Sequence, residues 1–198
     1  TERIVDLHRE TNETKIDVRL NLDGKGRSQI TSGNGMFDHL LAQLSRHGLI
    51  DLDVAVVGDS ELGWHHIVED TAIVVGRALR QAVGDGYGIT RMAHAIVPLD
   101  EAAAMVAVDF SGRGFAVVKG DITDIDMGGL NAHLVVHFFE TLAREGGFNV
   151  HAKLLTGDSG HHNAEVLFKA LARSLRAALT LDDRLEGEAP STKGTISA

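Results

Sequence analysis

The sequence predicts an α+β fold made of two βββαβα repeats, with the helices packed on one face of the sheets. Two observations carry this. Apolar periodicity gives strand, strand, strand, helix, strand, helix, and then the same order again. Matching letters fall at matching places: VRLNLDGKG (Val18 to Gly26) with VAVDFSGRG (Val106 to Gly114), RALRQA (Arg77 to Ala82) with RSLRAA (Arg173 to Ala178), and more loosely DHLLAQL (Asp38 to Leu44) with VHFFETL (Val136 to Leu142). The chain then divides into a first repeat at 1–88, a second at 89–180 and a tail at 181–198.

In the first repeat, Ile4 to Leu7 alternates weakly and reads as a strand. Lys15 to Leu22 alternates better, with Ile16, Val18, Leu20 and Leu22 on one face. Asp23-Gly24-Lys25-Gly26 is a turn from which Arg27 to Thr31 returns as a third strand. Gly33-Asn34-Gly35 breaks the chain before a helix from Met36 to His47, closed by Gly48. Leu49 to Val57 is a strand, Gly58 to Trp64 a loop, and His65 to Val83 a helix ended by Gly84, Gly86 and Gly88. In the second repeat, strands are expected at Met92 to Pro98, Ala103 to Phe110 and Phe115 to Lys119, the last returning from the turn Ser111-Gly112-Arg113-Gly114. A loop with several acids, Gly120 to Gly129, precedes a helix at Asn131 to Glu145. Phe148 to Leu155 is a strand and His161 to Leu179 a helix. The polar tail, Thr180 to Ala198, carries Pro190-Ser191-Thr192-Lys193-Gly194.

Composition narrows the function. An apolar content of 43% with 24% charged residues is the balance of a globular protein in water. No apolar run reaches membrane-spanning length and no signal peptide is visible. The absence of cysteine excludes disulfide and thiolate chemistry and fits a cytoplasmic location. A net charge of −9 argues against general nucleic-acid binding, which needs a basic footprint.

The two repeats share one chemical signature. HHIVED (His65 to Asp70) returns as HHNAEV (His161 to Val166), giving His65, His66 and Glu69 in one copy and His161, His162 and Glu165 in the other. On a helix, positions i and i+4 share a face while i+1 turns about 100° away. His65 and Glu69 therefore suit one ion while His66 faces another, and His161, Glu165 and His162 repeat the arrangement. One such motif alone is more often a polar helix cap; two in matching contexts point to metal. The loose helix match adds His39 and His137. Eight ligands over two ions leave four each, with open positions for substrate and water. Imidazole with carboxylate suits manganese, iron, zinc or nickel, and nitrogen-rich six-coordinate sites favour manganese, iron or cobalt over closed tetrahedral zinc.

Cations stand where an anionic substrate would need them. Arg91 follows the first repeat, Arg113 sits in the SGR turn, Lys169 lies one helical turn after Glu165, and Lys193 shares the tail with Ser191. Glu13 and the pair Asp100-Glu101 are further candidate proton carriers. His8, His47, His94, His133 and His151 read as structural or exposed.

FDHLLAQLSRHG, HHIVED, PLDEA, SGR, HHNAEVLFKALARSL and PSTKG, in this order across nearly the whole chain, resemble the signatures of the imidazoleglycerol-phosphate dehydratase family. The resemblance implies halves like the second domain of ribosomal protein S5, two manganese ions per site, and a homo-oligomer of twenty-four subunits with sites between them. It implies the eight metal ligands already named, phosphate contacts at Arg91, Arg113, Lys169, Ser191 and Lys193, and further substrate contacts at Glu13 and Gln43. Gly63-Trp64 departs from the polar or acidic residues usual before the first histidine pair. No phosphatase domain is expected in this stretch. The implied reaction removes water from a small phosphate substrate whose carbon proton is not made acidic by a carbonyl. The substrate imidazole becomes the electron sink if held as imidazolate between two cations. A carboxylate, Glu165 or Glu13, takes the proton, and the enol becomes imidazole acetol phosphate. The competing expectation is a dinuclear metal phosphoester hydrolase, which would share the metals and cations but release phosphate. A metal-storing shell would need no phosphate cradle.

Overall fold

A computed structural model describes residues 2–122 and 126–196; the middle of the loop expected at Gly120 to Gly129 and the last two residues of the tail lie outside them. The strands are β1 (Ile4–Glu10), β2 (Thr14–Asn21), β3 (Ser28–Thr31), β4 (Asp51–Gly58), β5 (Met92–Leu99), β6 (Ala102–Asp109), β7 (Phe115–Lys119), β8 (Asp126–Met127), β9 (Leu130–Asn131) and β10 (Asn149–Thr156). The helices are α1 (Gly35–Gly48), α2 (His65–Val83), α3 (His133–Gly146) and α4 (Gly160–Leu179). The first half forms a sheet of order β1-β2-β4-β3 and the second a sheet of order β5-β6-β10-β7. The repeat is thus a repeat of architecture: two four-stranded sheets of identical order, each with two helices on one face.

Alternation explains the sheets. Along β2, Thr14, Ile16, Val18 and Leu20 are buried and the residues between them exposed. On β6, Ala102, Ala104, Val106 and Val108 are buried and the residues between them half-buried. These inner faces meet the helices, which lie between the sheets. The helices pair across the halves: α1 packs on α4, and α2 on α3. Phe37 of α1, Phe138 and Phe139 of α3 and Phe168 of α4 form the aromatic centre of this layer, with Phe138 and Phe168 ring centroids 5.1 Å apart.

Two expected hairpins do not form. Arg27 to Thr31 and Phe115 to Lys119 were expected to return against the preceding strand; instead β3 pairs parallel to β4, and β7 parallel to β10. The cause is local. Asp51 Oδ1 accepts the backbone N–H groups of Lys25 and Arg27 at 2.8 and 2.9 Å, which folds the turn onto the start of β4. In the second half, Asn149 Nδ2 donates to Arg113 O at 2.8 Å and does the same for β10. The helix expected from Asn131 starts at His133, because Leu130 and Asn131 pair back onto Asp126 and Met127.

The repeated glycines of these turns have one explanation. A Cβ on Gly26 would lie 2.8 Å from Arg46 O, and one on Gly114 would strike the backbone of Arg144, the matching residue in α3. Each turn rests directly on the last turn of a helix. Gly114→Ala is therefore expected to destabilise the fold by about 1–3 kcal/mol, as overpacking does, measured as a lower denaturation midpoint in urea. An unchanged midpoint would show that the turn has room.

Candidate metal and substrate site

Each histidine pair opens a helix. Ser159 caps α4 by accepting the N–H of His162 at 3.3 Å. Trp64 precedes α2 without a side-chain cap bond, and its ring lies over Gly33 and Gly129. Gly63-Trp64, the departure noted in the sequence, thus joins the start of α2 to the segments before α1 and α3.

Because the helices pair across the halves, each cluster draws on both repeats. His39 of α1 meets His161 and Glu165 of α4: His39 Nε2 and His161 Nε2 lie 3.0 and 3.1 Å from the same oxygen, Glu165 Oε2. His137 of α3 meets His65 and Glu69 of α2: His65 Nε2 is 3.4 Å from Glu69 Oε2, and His137 Nε2 is 3.5 Å from Glu69 Oε1. In each cluster the three candidate ligand atoms lie within 4.8 Å of one another. His137 Nε2 is buried and has no hydrogen-bond partner. Two imidazoles and a carboxylate around such an atom are a donor set that a first-row divalent ion fits.

His66 and His162 turn away from these clusters. Each ring stands edge-on to its neighbour, His65 or His161, with centroids 5.9 Å apart in both cases. His66 Nδ1 lies 3.7 Å from Glu13 Oε2, and His162 Nδ1 lies 2.8 Å from Glu101 Oε2. The hydrogen bond with His162 holds the Glu101 carboxyl down to about 2, and the same bond raises His162. Burial pushes Glu165 up, but hydrogen bonds from Lys169 and His39 outweigh it and hold the carboxyl down to about 2. Lys169 Nζ sits 2.8 Å from Glu165 Oε1.

The remaining candidate residues fall in two places. Gln43 lies on α1 one turn after His39, 3.1 Å from His47 Nε2. Burial lowers His47, and so do the charges of Lys169 and Arg173 on the neighbouring α4. The sequence reads His47 as structural or exposed; its i, i+4 spacing from Gln43, itself i+4 from His39, is the signal that could place all three on one face. Arg91, Arg113, Ser191 and Lys193 line a separate cleft of 560 Å³ under the tail. Arg91 donates to both oxygens of Asp109 and, through Nη1, to Pro190 O at 2.9 Å. The Arg91 N–H donates to Ala178 O near the end of α4, while Glu165 stands near its start. At 1.5 Å per residue, Glu165 and Ala178 are about 20 Å apart. Within one chain, the cation cleft and the cluster at Glu165 are therefore far apart.

Fold and clusters together define a class: a duplicated α+β scaffold with paired histidine–glutamate clusters built across its halves. The comparisons with known proteins make the class specific. Residues 32–175 match the family described as imidazoleglycerol-phosphate dehydratase. An imidazoleglycerol-phosphate dehydratase of Dehalococcoides mccartyi is 50% identical over 196 residues, covering 99% of this chain and 98% of that one. One of Methanoculleus marisnigri is 47% identical over 98% of this chain and all of its own length (100%). Among solved structures, the enzyme from Staphylococcus aureus superposes with a TM-score of 0.82 at 29% identity, over 90% of this chain and 99% of that one. The one from Pyrococcus furiosus, in complex with (S)-C348, gives 0.80 at 32%, over 95% and 99%. The chain belongs to the imidazoleglycerol-phosphate dehydratase family, hydro-lyases of histidine biosynthesis.

Proposed function

We propose that the chain converts imidazoleglycerol phosphate to imidazole acetol phosphate with two manganese ions per site, at sites shared between subunits of a homo-oligomer of twenty-four chains. The observation that carries this is the pair of histidine–glutamate clusters, with His66 and His162 turned outward from them. His39, His161 and Glu165 would hold one ion and His65, Glu69 and His137 another. His66 and His162 would complete the ligand set of ions held by neighbouring chains. The ions supply stabilisation of negative charge on the substrate ring.

The protein supplies the rest. Glu165 is a poor base, because Oε1 already accepts from Lys169 and Oε2 faces His39 and His161. Glu13 is better placed: it stands exposed on the β1–β2 turn, beside His66. We assign Glu13 the carbon proton. The carbon–oxygen bond to the leaving hydroxyl breaks, the hydroxide takes up the proton returned by the Glu13 carboxyl and departs as water, and the enol becomes the ketone. Gln43 orients the substrate, and Lys169 completes the binding of its phosphate. Arg91, Arg113, Ser191 and Lys193 would grip that phosphate from the neighbouring subunit's cleft.

Surface chemistry supports assembly. The outer face of the first sheet is charged, with Asp6, His8, Asp17, Arg19 and Asp53 along one open hollow. The outer face of the second exposes Met92, Ile96 and Phe115, each more than half accessible (58%, 64% and 62%). Burial of these side chains against another subunit would remove apolar surface from water. Among the described residues no helix is long and apolar enough to cross a membrane. The cysteine-free chain needs no oxidising compartment, which supports a cytoplasmic location.

The test is an assay of the purified protein with imidazoleglycerol phosphate and manganese, following ketone and free phosphate separately. Ketone without free phosphate is expected; free phosphate without ketone would return the hydrolase reading. Arg113→Ala and Lys193→Ala should each raise KM. A charge-assisted contact is worth about 1.5–3 kcal/mol, or roughly 10- to 150-fold. A normal KM in both would remove the cleft from the substrate site.

A further inference from the structure

We infer that Glu101 is a positioning residue: its carboxylate fixes the His162 imidazole so that Nε2 is left bare for a metal ion. The inference rests on the proposed reading of His162 as a ligand.

Glu101 lies on the turn between β5 and β6. It is held at three points. Oε1 accepts the N–H of Ser159, the cap of α4, at 3.1 Å, and the Glu101 carbonyl accepts from Thr156 Oγ1 at 3.0 Å. Oε2 lies 2.8 Å from His162 Nδ1. An ionised carboxylate only accepts, so the proton of this bond belongs to Nδ1. A neutral imidazole with its proton on Nδ1 has its free lone pair on Nε2. This is the arrangement in which a carboxylate orients a metal-binding histidine. Because Glu101 and His162 are both tied to Ser159, the ring orientation is set before any ion arrives.

The same place in the first half is built differently. Glu13 lies on the turn between β1 and β2, as Glu101 lies between β5 and β6. That turn has three residues, 11–13, where the second has two, 100–101. Glu13 Oε2 stays 3.7 Å from His66 Nδ1, beyond a hydrogen bond, and its side chain is 59% exposed against 36% for Glu101. Two carboxylates of equivalent position have thus taken different tasks. Glu101 is spent on orienting a ligand, and Glu13 is left free to move a proton.

The experiment titrates Mn²⁺ into the metal-stripped full-length protein by calorimetry. Glu101→Ala should weaken Mn²⁺ binding about 10- to 100-fold, the usual cost of losing such a partner. Glu101→Gln, whose amide oxygen still accepts from Nδ1–H, should recover part of that loss. Glu13→Gln should bind Mn²⁺ as the unaltered protein does and lose turnover instead. Adding Glu101→Ala to His162→Ala should cause no further loss, because the carboxylate acts only through that ring. Unchanged affinity in Glu101→Ala, while His162→Ala binds weakly, would overturn the inference and leave the ligand reading intact. So would an equal loss in the two backgrounds. Normal Mn²⁺ binding by His162→Ala would overturn the ligand reading itself.

Discussion

Stripping the metal from the purified protein should abolish ketone formation, and manganese should restore it. The carbon proton to be removed gains no acidity from a carbonyl, so without charge stabilisation on the ring no side chain here is basic enough to take it. In the cluster of His65, Glu69 and His137, His137 Nε2 is buried with no hydrogen bond, and an ion would give that atom a partner. His66→Ala and His162→Ala should each lose activity. His8→Ala should not, because His8 is on the outer face of the first sheet, bonded to Asp17 at 2.7 Å. Ligation needs neutral imidazole, so binding should weaken as the pH falls through about 6. The raised His162 makes the proton compete from a higher pH at that ligand. Full turnover in a preparation verified to be metal-free would refute this reading.

Glu13→Gln should lower kcat by about 10²–10⁴-fold, the usual contribution of a positioned base. The amide keeps the shape of the side chain but cannot take a proton. KM should change little, since the phosphate is gripped elsewhere. Glu165→Gln should differ in kind. Its carboxylate links His39, His161 and Lys169, so the variant should lose metal along with activity. Unchanged kcat in Glu13→Gln would take the proton transfer away from this residue.

The repeat and its helices were legible because they depend on local periodicity. The span His65 to Val83 was read from apolar spacing and is the span of α2; the second motif helix begins one residue earlier than expected, at Gly160. The partners were less legible. Spacing shows that His161 and Glu165 share a face, but not that His39, from the other repeat, meets them. That depends on α1 packing against α4 through the aromatic centre of the helix layer. The parallel pairing of β3 and β7 is hidden in the sequence for a similar reason: one carboxylate, Asp51, redirects the first turn, and its role appears only when β4 stands beside it. In the sequence Glu101 is one of two adjacent acids, Asp100-Glu101, that follow Pro98. Its equivalence to Glu13 appears only when the two sheets are compared.

The central claim is that an active site takes its metal cluster from one chain and its phosphate cleft from another, since about 20 Å of α4 separates them within a chain. Co-expression of two inactive variants tests it most directly: Glu165→Ala, which breaks a cluster, and Arg113→Ala combined with Lys193→Ala, which breaks the cleft. Mixed particles should regain activity, because some sites pair an intact cluster with a neighbour's intact cleft. Mixed particles of verified composition that remain as inactive as either parent would contradict the claim.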